Sequence, residues 1–191
     1  MALHAPQVHG FFSTPVDHLT AIGVLADHYR GSDLTDCIVV SPDLGNAKVA
    51  TQFARLLGLP VAAGSKQRIS DDRVVIDSIV GDVDGRRAIV LDDEIATGGS
   101  MIELMDRLKD AGSTEASIVC THGLFAGKAV ERLRDHPFVT EVVTTDTTVI
   151  SRKAFPIRPQ PGKPQQLVDW DGSLRDDGWE WWNGFYTYYD T

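Results

Sequence analysis

The run Ala88-Ile89-Val90-Leu91-Asp92-Asp93-Glu94-Ile95-Ala96-Thr97-Gly98-Gly99-Ser100 constrains this chain more than any other stretch. Residues 88–91 form a continuous apolar strand of the kind buried on both faces. Two acids follow it, and a turn of small and hydroxylated residues leads into a helical segment that runs to Ala111. The turn gathers backbone N–H groups, the Thr97 and Ser100 hydroxyls and a helix N-terminus around one point. N–H groups in a first helical turn lack intrahelical partners, and the macrodipole favours an anion there. The stretch therefore reads as a phosphate cradle. Asp92 and Asp93 would repel a phosphate, but carboxylates beside one suit sugar hydroxyls or a bridging Mg²⁺. The local chemistry is that of a sugar phosphate held at both ends.

The rest of the chain alternates strand and helix at the same rhythm. Strand-like runs lie at 37–40, 61–63, 74–80, 117–120 and 141–145, and helical spacing at 14–29, 47–57, 100–111 and 126–133. Thr14, Pro15 and Asp17 suit the opening of the first helix, and Gly58 with Pro60 the end of the second. Residues 64–73 are polar, charged and without period, and read as a mobile loop. The expected fold class is α/β, a mostly parallel sheet with helices on both faces. Sites in such sheets lie at the carboxyl ends of the strands, and Asp43, Asp92 and Asp93 all sit just after strands.

A chain of 191 residues has room for one domain with a sizeable core. Its formal charge of −9 argues against a nucleic-acid or anionic-membrane partner. Cys37 and Cys120 sit in apolar runs with no zinc spacing, and read as reduced core residues of a cytoplasmic protein. No charged-then-apolar leader opens the chain and no apolar run approaches a membrane span.

Several further segments carry a resemblance. The 88–100 run resembles the phosphoribosyl-pyrophosphate (PRPP) motif of the phosphoribosyltransferase fold. His4-Ala5-Pro6-Gln7-Val8-His9-Gly10-Phe11-Phe12, with Pro15-Val16-Asp17, resembles the signature of the ribose-phosphate pyrophosphokinases, the PRPP synthases. Val39-Val40-Ser41-Pro42-Asp43-Leu44-Gly45 is similar to their pyrophosphate loop, and Ser65-Lys66-Gln67-Arg68 stands where their catalytic loop carries a Lys and an Arg. Thr121-His122-Gly123-Leu124-Phe125 and Val142-Val143-Thr144-Thr145-Asp146-Thr147 match later parts of the same domain. The match runs in order over residues 3–148 and is to the family's second, C-terminal domain.

The resemblance implies transfer of pyrophosphate from ATP to the 1-hydroxyl of ribose 5-phosphate, giving PRPP. It assigns phosphate neutralisation to Lys66 and Arg68, ribose contacts to Asp92 and Asp93, and the 5-phosphate to Thr97, Gly98, Gly99 and Ser100, with Ala96 a further substrate-binding position of the same motif. Gly45 would lie against pyrophosphate, and His4 and Asp43 fall at the family's Mg²⁺-linked positions. It also implies an oligomer, of this chain or with a full-length homologue. Three side chains depart from the family pattern: Ala2 replaces an acid, Asn46 a glycine of the pyrophosphate loop, and Ala96 an acid of the PRPP motif. The family's N-terminal domain, which supplies adenine-binding loops, has no counterpart in this sequence. Two other functions stay open: a non-catalytic, ribose-phosphate-binding regulatory paralogue, and a stand-alone phosphoribosyltransferase.

Residues 1–150 are expected to form the phosphoribosyltransferase-type domain. Residues 151–191 are expected to form a tail of different character, holding all four Trp. Its aromatic run shows neither helical nor strand period. It reads either as an extension packed on the domain or a partner, or as an altered end of the gene product.

Overall fold

The structure, a computed structural model, describes residues 3–70, 73–145, 167–168, 174–175, 179–182 and 185–189. A 3-10 helix, Pro6–Phe11, precedes α1 (Ile22–His28), β1 (Cys37–Ser41), α2 (Ala47–Leu57), β2 (Val61–Ser70) and β3 (Arg73–Val80). There follow β4 (Arg87–Ile95), α3 (Gly99–Asp110), β5 (Glu115–Gly123), α4 (Ala129–Arg134) and β6 (Val139–Thr145). Short strands β7 (Leu167–Val168), β8 (Leu174–Arg175), β9 (Trp179–Trp182) and β10 (Phe185–Tyr189) complete the described residues. The main sheet runs β3-β2-β1-β4-β5-β6-β10-β9. Its central pairs, β2–β1, β1–β4, β4–β5 and β5–β6, are parallel. The pairs β2–β3, β6–β10 and β10–β9 are antiparallel. This is the expected α/β class.

Alternation along each strand explains the two-sided core. Ile38, Val40, Val90 and Ile118 pack with Met101, Leu104, Met105 and Leu108 of α3 and Leu133 of α4. Val39, Ile89, Leu91, Val119 and Val143 pack with Leu25 of α1 and Phe53 of α2 on the other face. Both cysteines are buried and free. Burial pushes the Cys120 thiol up to about 12, so it stays protonated and acts as an apolar side chain.

Gly58 ends α2 in the left-handed region at φ 69°, and Leu59 N–H bonds back to Ala54 O at 2.9 Å, as a glycine helix stop requires. Three elements differ from the sequence expectation. The first helix covers only Ile22–His28, not 14–29. Val16 and Leu19 are 38% and 64% exposed, so the earlier turns bury no apolar face, and a short helix without packing does not hold. Thr20 Oγ1, not Thr14, takes up a starting N–H, that of Ile22, at 3.3 Å.

The second difference is at residues 64–73, expected as a loop. Their described part is the arm of an antiparallel hairpin, with Lys66 opposite Ile76, Gln67 opposite Val75 and Arg68 opposite Val74. Backbone pairing to a β-branched partner strand organises this segment, so its own sequence need show no period. The middle of the hairpin is fastened to α3. Glu103 Oε1 accepts the Ile76 N–H at 3.0 Å, and Arg107 Nε donates to Ile76 O at 3.0 Å. These two side chains lie one helical turn apart, which matches them to the two polar groups of one residue. The third difference lies in the tail, where the aromatic segments form β9 and β10.

Candidate active site

The pyrophosphate-loop segment follows β1. Asp43 Oδ1 accepts the Asn46 N–H at 2.9 Å, and Ser41 Oγ donates to Asp43 O at 2.6 Å, so the loop is a tight turn. A Cβ on Gly45 would stand 3.1 Å from Asp43 Oδ1, so the turn has room for glycine and little more. Asn46, where the resemblance leads one to expect a glycine, turns its side chain across the sheet and donates from Nδ2 to Leu91 O at 3.3 Å. It stands at the N-cap of α2 without capping it. The substitution thus ties the end of β1 to the end of β4.

The two acids at the end of the 88–91 run lie within β4, not after it: pairing continues from Asp92 opposite Cys120 to Ile95 opposite Gly123. Neighbours in a regular strand face opposite ways, yet here the Asp92 and Asp93 side chains stay within hydrogen-bonding reach of each other. Asp93 Oδ2 bonds to His4 Nδ1 at 2.5 Å, across 89 positions of sequence. The hydrogen bond and charge of Asp93 raise the His4 pKa. Both side chains are largely exposed, so this pair adds little to stability.

Asp92 is half-buried and its Oδ1 accepts the Asp93 N–H at 2.9 Å. Burial pushes its carboxyl from 3.8 up to about 7, with the Asp93 and Asp43 charges adding to the rise. The folded chain therefore binds this proton more tightly than the unfolded chain. The resulting stability is complete below pH 4 and is lost as pH rises through about 7. Denaturant melts without divalent ions should show about 2–4 kcal/mol less stability at pH 7.5 than this group allows at pH 4. Asp92→Asn should remove that component; an unchanged pH profile in the variant would assign the slope elsewhere.

The 96–98 turn opens α3. Gly98 is its N-cap, left-handed at φ 72°, and no side chain caps the helix. Among the described residues, none of the backbone N–H groups of residues 96–101 makes a hydrogen bond. Ala96, Thr97, Gly99 and Ser100 are exposed and Gly98 is buried. Adjacent N–H groups without a partner among the described residues, at a helix N-terminus, are the arrangement that suits an anion. The carbonyls of the same turn are occupied: Ile95 O by the N–H groups of Leu124 and Phe125, Ala96 O by that of Ala126, and Thr97 O by Arg132 Nη1.

The structure therefore brings Asp43, Gly45, Asp92, Asp93 and the 96–100 turn to the carboxyl ends of β1 and β4, with His4 reaching Asp93. Lys66 and Arg68 are placed on β2, on the hairpin beside β1. Arg132 and the cross-sheet role of Asn46 were not visible in the sequence, because each contact is made to a carbonyl distant in the chain. Among the described residues no three His, Cys, Asp or Glu side chains are arranged to hold a metal. A cavity of about 560 Å³ lies at the opposite strand ends, by Tyr29, Arg87 and Ser117. There His28 Nε2 pairs with Glu141 Oε1 at 2.8 Å and the Tyr29 hydroxyl bonds Ser117 Oγ at 2.9 Å. No described helix is long and apolar enough to cross a membrane.

Comparison with known proteins bears on the family and the fold. The family model for the phosphoribosyl synthetase-associated domain matches residues 67–155. A Streptomyces coelicolor relative, provisionally named as a ribose-phosphate pyrophosphokinase, is 59% identical over 78% of this chain and 47% of its own length. The ribose-phosphate pyrophosphokinase of Clostridium acetobutylicum is 43% identical over the same shares. The crystal structure of phosphoribosylpyrophosphate synthetase from Mycobacterium smegmatis superposes with a TM-score of 0.70 at 37% identity, covering 81% of this chain and 50% of that one. The chain thus spans about half the length of the relatives it matches. On sequence and fold, it belongs to the ribose-phosphate pyrophosphokinase family.

Proposed function

We propose that this chain binds ribose 5-phosphate and supplies that half of a ribose-phosphate pyrophosphokinase site. The observation that carries this is the row of free N–H donors at residues 96–101 beside the Asp92–Asp93 pair. The donors receive the 5-phosphate, and the carboxylates accept hydrogen bonds from ribose hydroxyls. In the reaction the ribose 1-hydroxyl oxygen attacks the β-phosphorus of ATP and AMP leaves. Such transfer depends on positioning and charge neutralisation rather than covalent help from the protein. Lys66 and Arg68, on the hairpin, are the cations suited to the transferred phosphates.

The donor set fits Mg²⁺. Asp43 is a hard oxygen ligand, and Asp92 is raised in part by the charges of Asp43 and Asp93, a repulsion that a divalent cation relieves. Mg²⁺ takes few protein ligands and completes its shell with water and phosphate, so a protein cage is not needed. Asp43, with His4 acting through water or phosphate, would hold it. It would neutralise charge on the transferred group.

Asp92→Ala with Asp93→Ala should weaken ribose 5-phosphate binding by at least tenfold while the domain stays folded. Unchanged calorimetric affinity would refute the assignment. ATP alone should bind poorly, since only phosphate and metal contacts are available in this half. Tight, Mg²⁺-independent ATP binding by the purified chain would contradict this. A cytoplasmic setting, and a site completed by a second copy or a full-length homologue, go with the reading. A second reading, a ribose-phosphate-binding regulatory paralogue, is favoured by Ala96 standing where the family carries an acid. Co-purification with a longer homologue would support it.

A further inference from the structure

Three consecutive carbonyls of the β4–α3 turn are held from one side. Ile95 O accepts from Leu124 N at 3.0 Å and Phe125 N at 3.1 Å, Ala96 O from Ala126 N at 2.8 Å, and Thr97 O from Arg132 Nη1 at 3.2 Å. A trans peptide is planar, with its C=O and N–H pointing in opposite directions. Holding these carbonyls toward the β5–α4 loop and α4 therefore turns the N–H groups of Ala96, Thr97 and Gly98 away from it, into the cradle.

The first two carbonyls are held by backbone. The third depends on one side chain. It belongs to the peptide leading into Gly98, which has no Cβ to restrict rotation and sits at φ 72°. α4 lies close behind: a Cβ on Gly98 would stand 3.6 Å from Ala129. Arg132 is exposed, and among the described residues the bond to Thr97 O is the one hydrogen bond of its side chain, which has no carboxylate partner there. Nothing in the core requires it, yet its guanidinium rests against the phosphate turn.

We propose that Arg132 is a positioning residue for anion binding: its bond to Thr97 O fixes the Thr97–Gly98 peptide with the Gly98 N–H aimed into the cradle, and its charge adds to the field there. The ligand class is a phosphate monoester or free phosphate. This rests on the reading of the turn as the ribose 5-phosphate site.

The test is amide NMR on the full chain, free and titrated separately with inorganic phosphate and ribose 5-phosphate. In the free protein, Arg132→Ala should shift or broaden the Gly98 amide without lowering the thermal midpoint. It should weaken both ligands by about tenfold and by the same factor, since both share the phosphate. Arg132→Lys keeps a donor and the charge and should recover most of the loss. An unmoved Gly98 amide, or unchanged phosphate affinity in Arg132→Ala, overturns the proposal while leaving the site assignment standing. Equal losses in the Ala and Lys variants assign the effect to packing and also overturn it. A wild-type chain that binds neither ligand removes the site assignment itself, and the proposal with it.

Discussion

Assayed alone with ATP, ribose 5-phosphate and Mg²⁺, the 191-residue chain should form PRPP at a rate near background, and Lys66→Ala should abolish whatever turnover remains. The chain matches about half the length of its relatives, and by its resemblance to the family Ala2 and Ala96 stand where acids are expected. Each replaced group that acts more strongly in the transition state than in the ground state is expected to lower the rate by about 10²–10³. Such losses do not simply add, because groups acting as a unit are non-additive. One of them is enough to bring turnover far below that of a complete enzyme. Lys66 lies on β2 opposite Ile76, on an arm fastened at that residue to α3. Its removal should therefore abolish the remaining turnover and leave ribose 5-phosphate affinity unchanged. Brisk turnover by the wild-type chain would show that self-association or the tail rebuilds the ATP half. Persistence in Lys66→Ala would show that another cation neutralises the transferred group.

The second large effect is on stability. Leu104 is fully buried in α3, at the centre of the cluster formed by Val90, Ile118, Met101 and Leu108. Leu104→Ala should cost about 3–5 kcal/mol, the transfer term plus a cavity the strands cannot close. For a domain of this size the thermal midpoint should fall by roughly 6–20 °C. Val24, 46% exposed on α1, provides the control: Val24→Ala should stay within about 0.5 kcal/mol. Equal shifts in the two variants would mean that α3 does not pack as described. Because α3 begins at the phosphate turn, Leu104→Ala should also weaken ribose 5-phosphate binding more than Val24→Ala does.

The parts of the fold legible in the sequence are those written in local apolar patterning. The run at 88–91 and the Gly58 stop of α2 mark the parallel core, and the structure has both. The parts not legible depend on partners far along the chain. Residues 14–20 carry good helix-start chemistry, but Val16 and Leu19 have nothing to bury against. The arm carrying Lys66 takes its shape from β3, so its own residues show no pattern. At the site, Asp92, Asp93 and the turn could be placed at a strand end, but their continuation of β4 depends on pairing with β5. His4, near the start of the sequence, finds Asp93 only in three dimensions. Arg132 carries no motif at all, since any helix may present an arginine and only the fold puts this one at Thr97 O.

The clamp of Glu103 and Arg107 on Ile76 has a consequence for self-association. β3 is the outermost strand on its side of the sheet, and such a strand offers its outward peptide groups as a template for another chain. At Ile76 both groups are already taken by α3 side chains. An incoming strand would have to displace a carboxylate and a guanidinium before adding its first rung there. The helix that opens on the anion cradle thereby also guards the sheet against strand addition and the aggregation that follows from it.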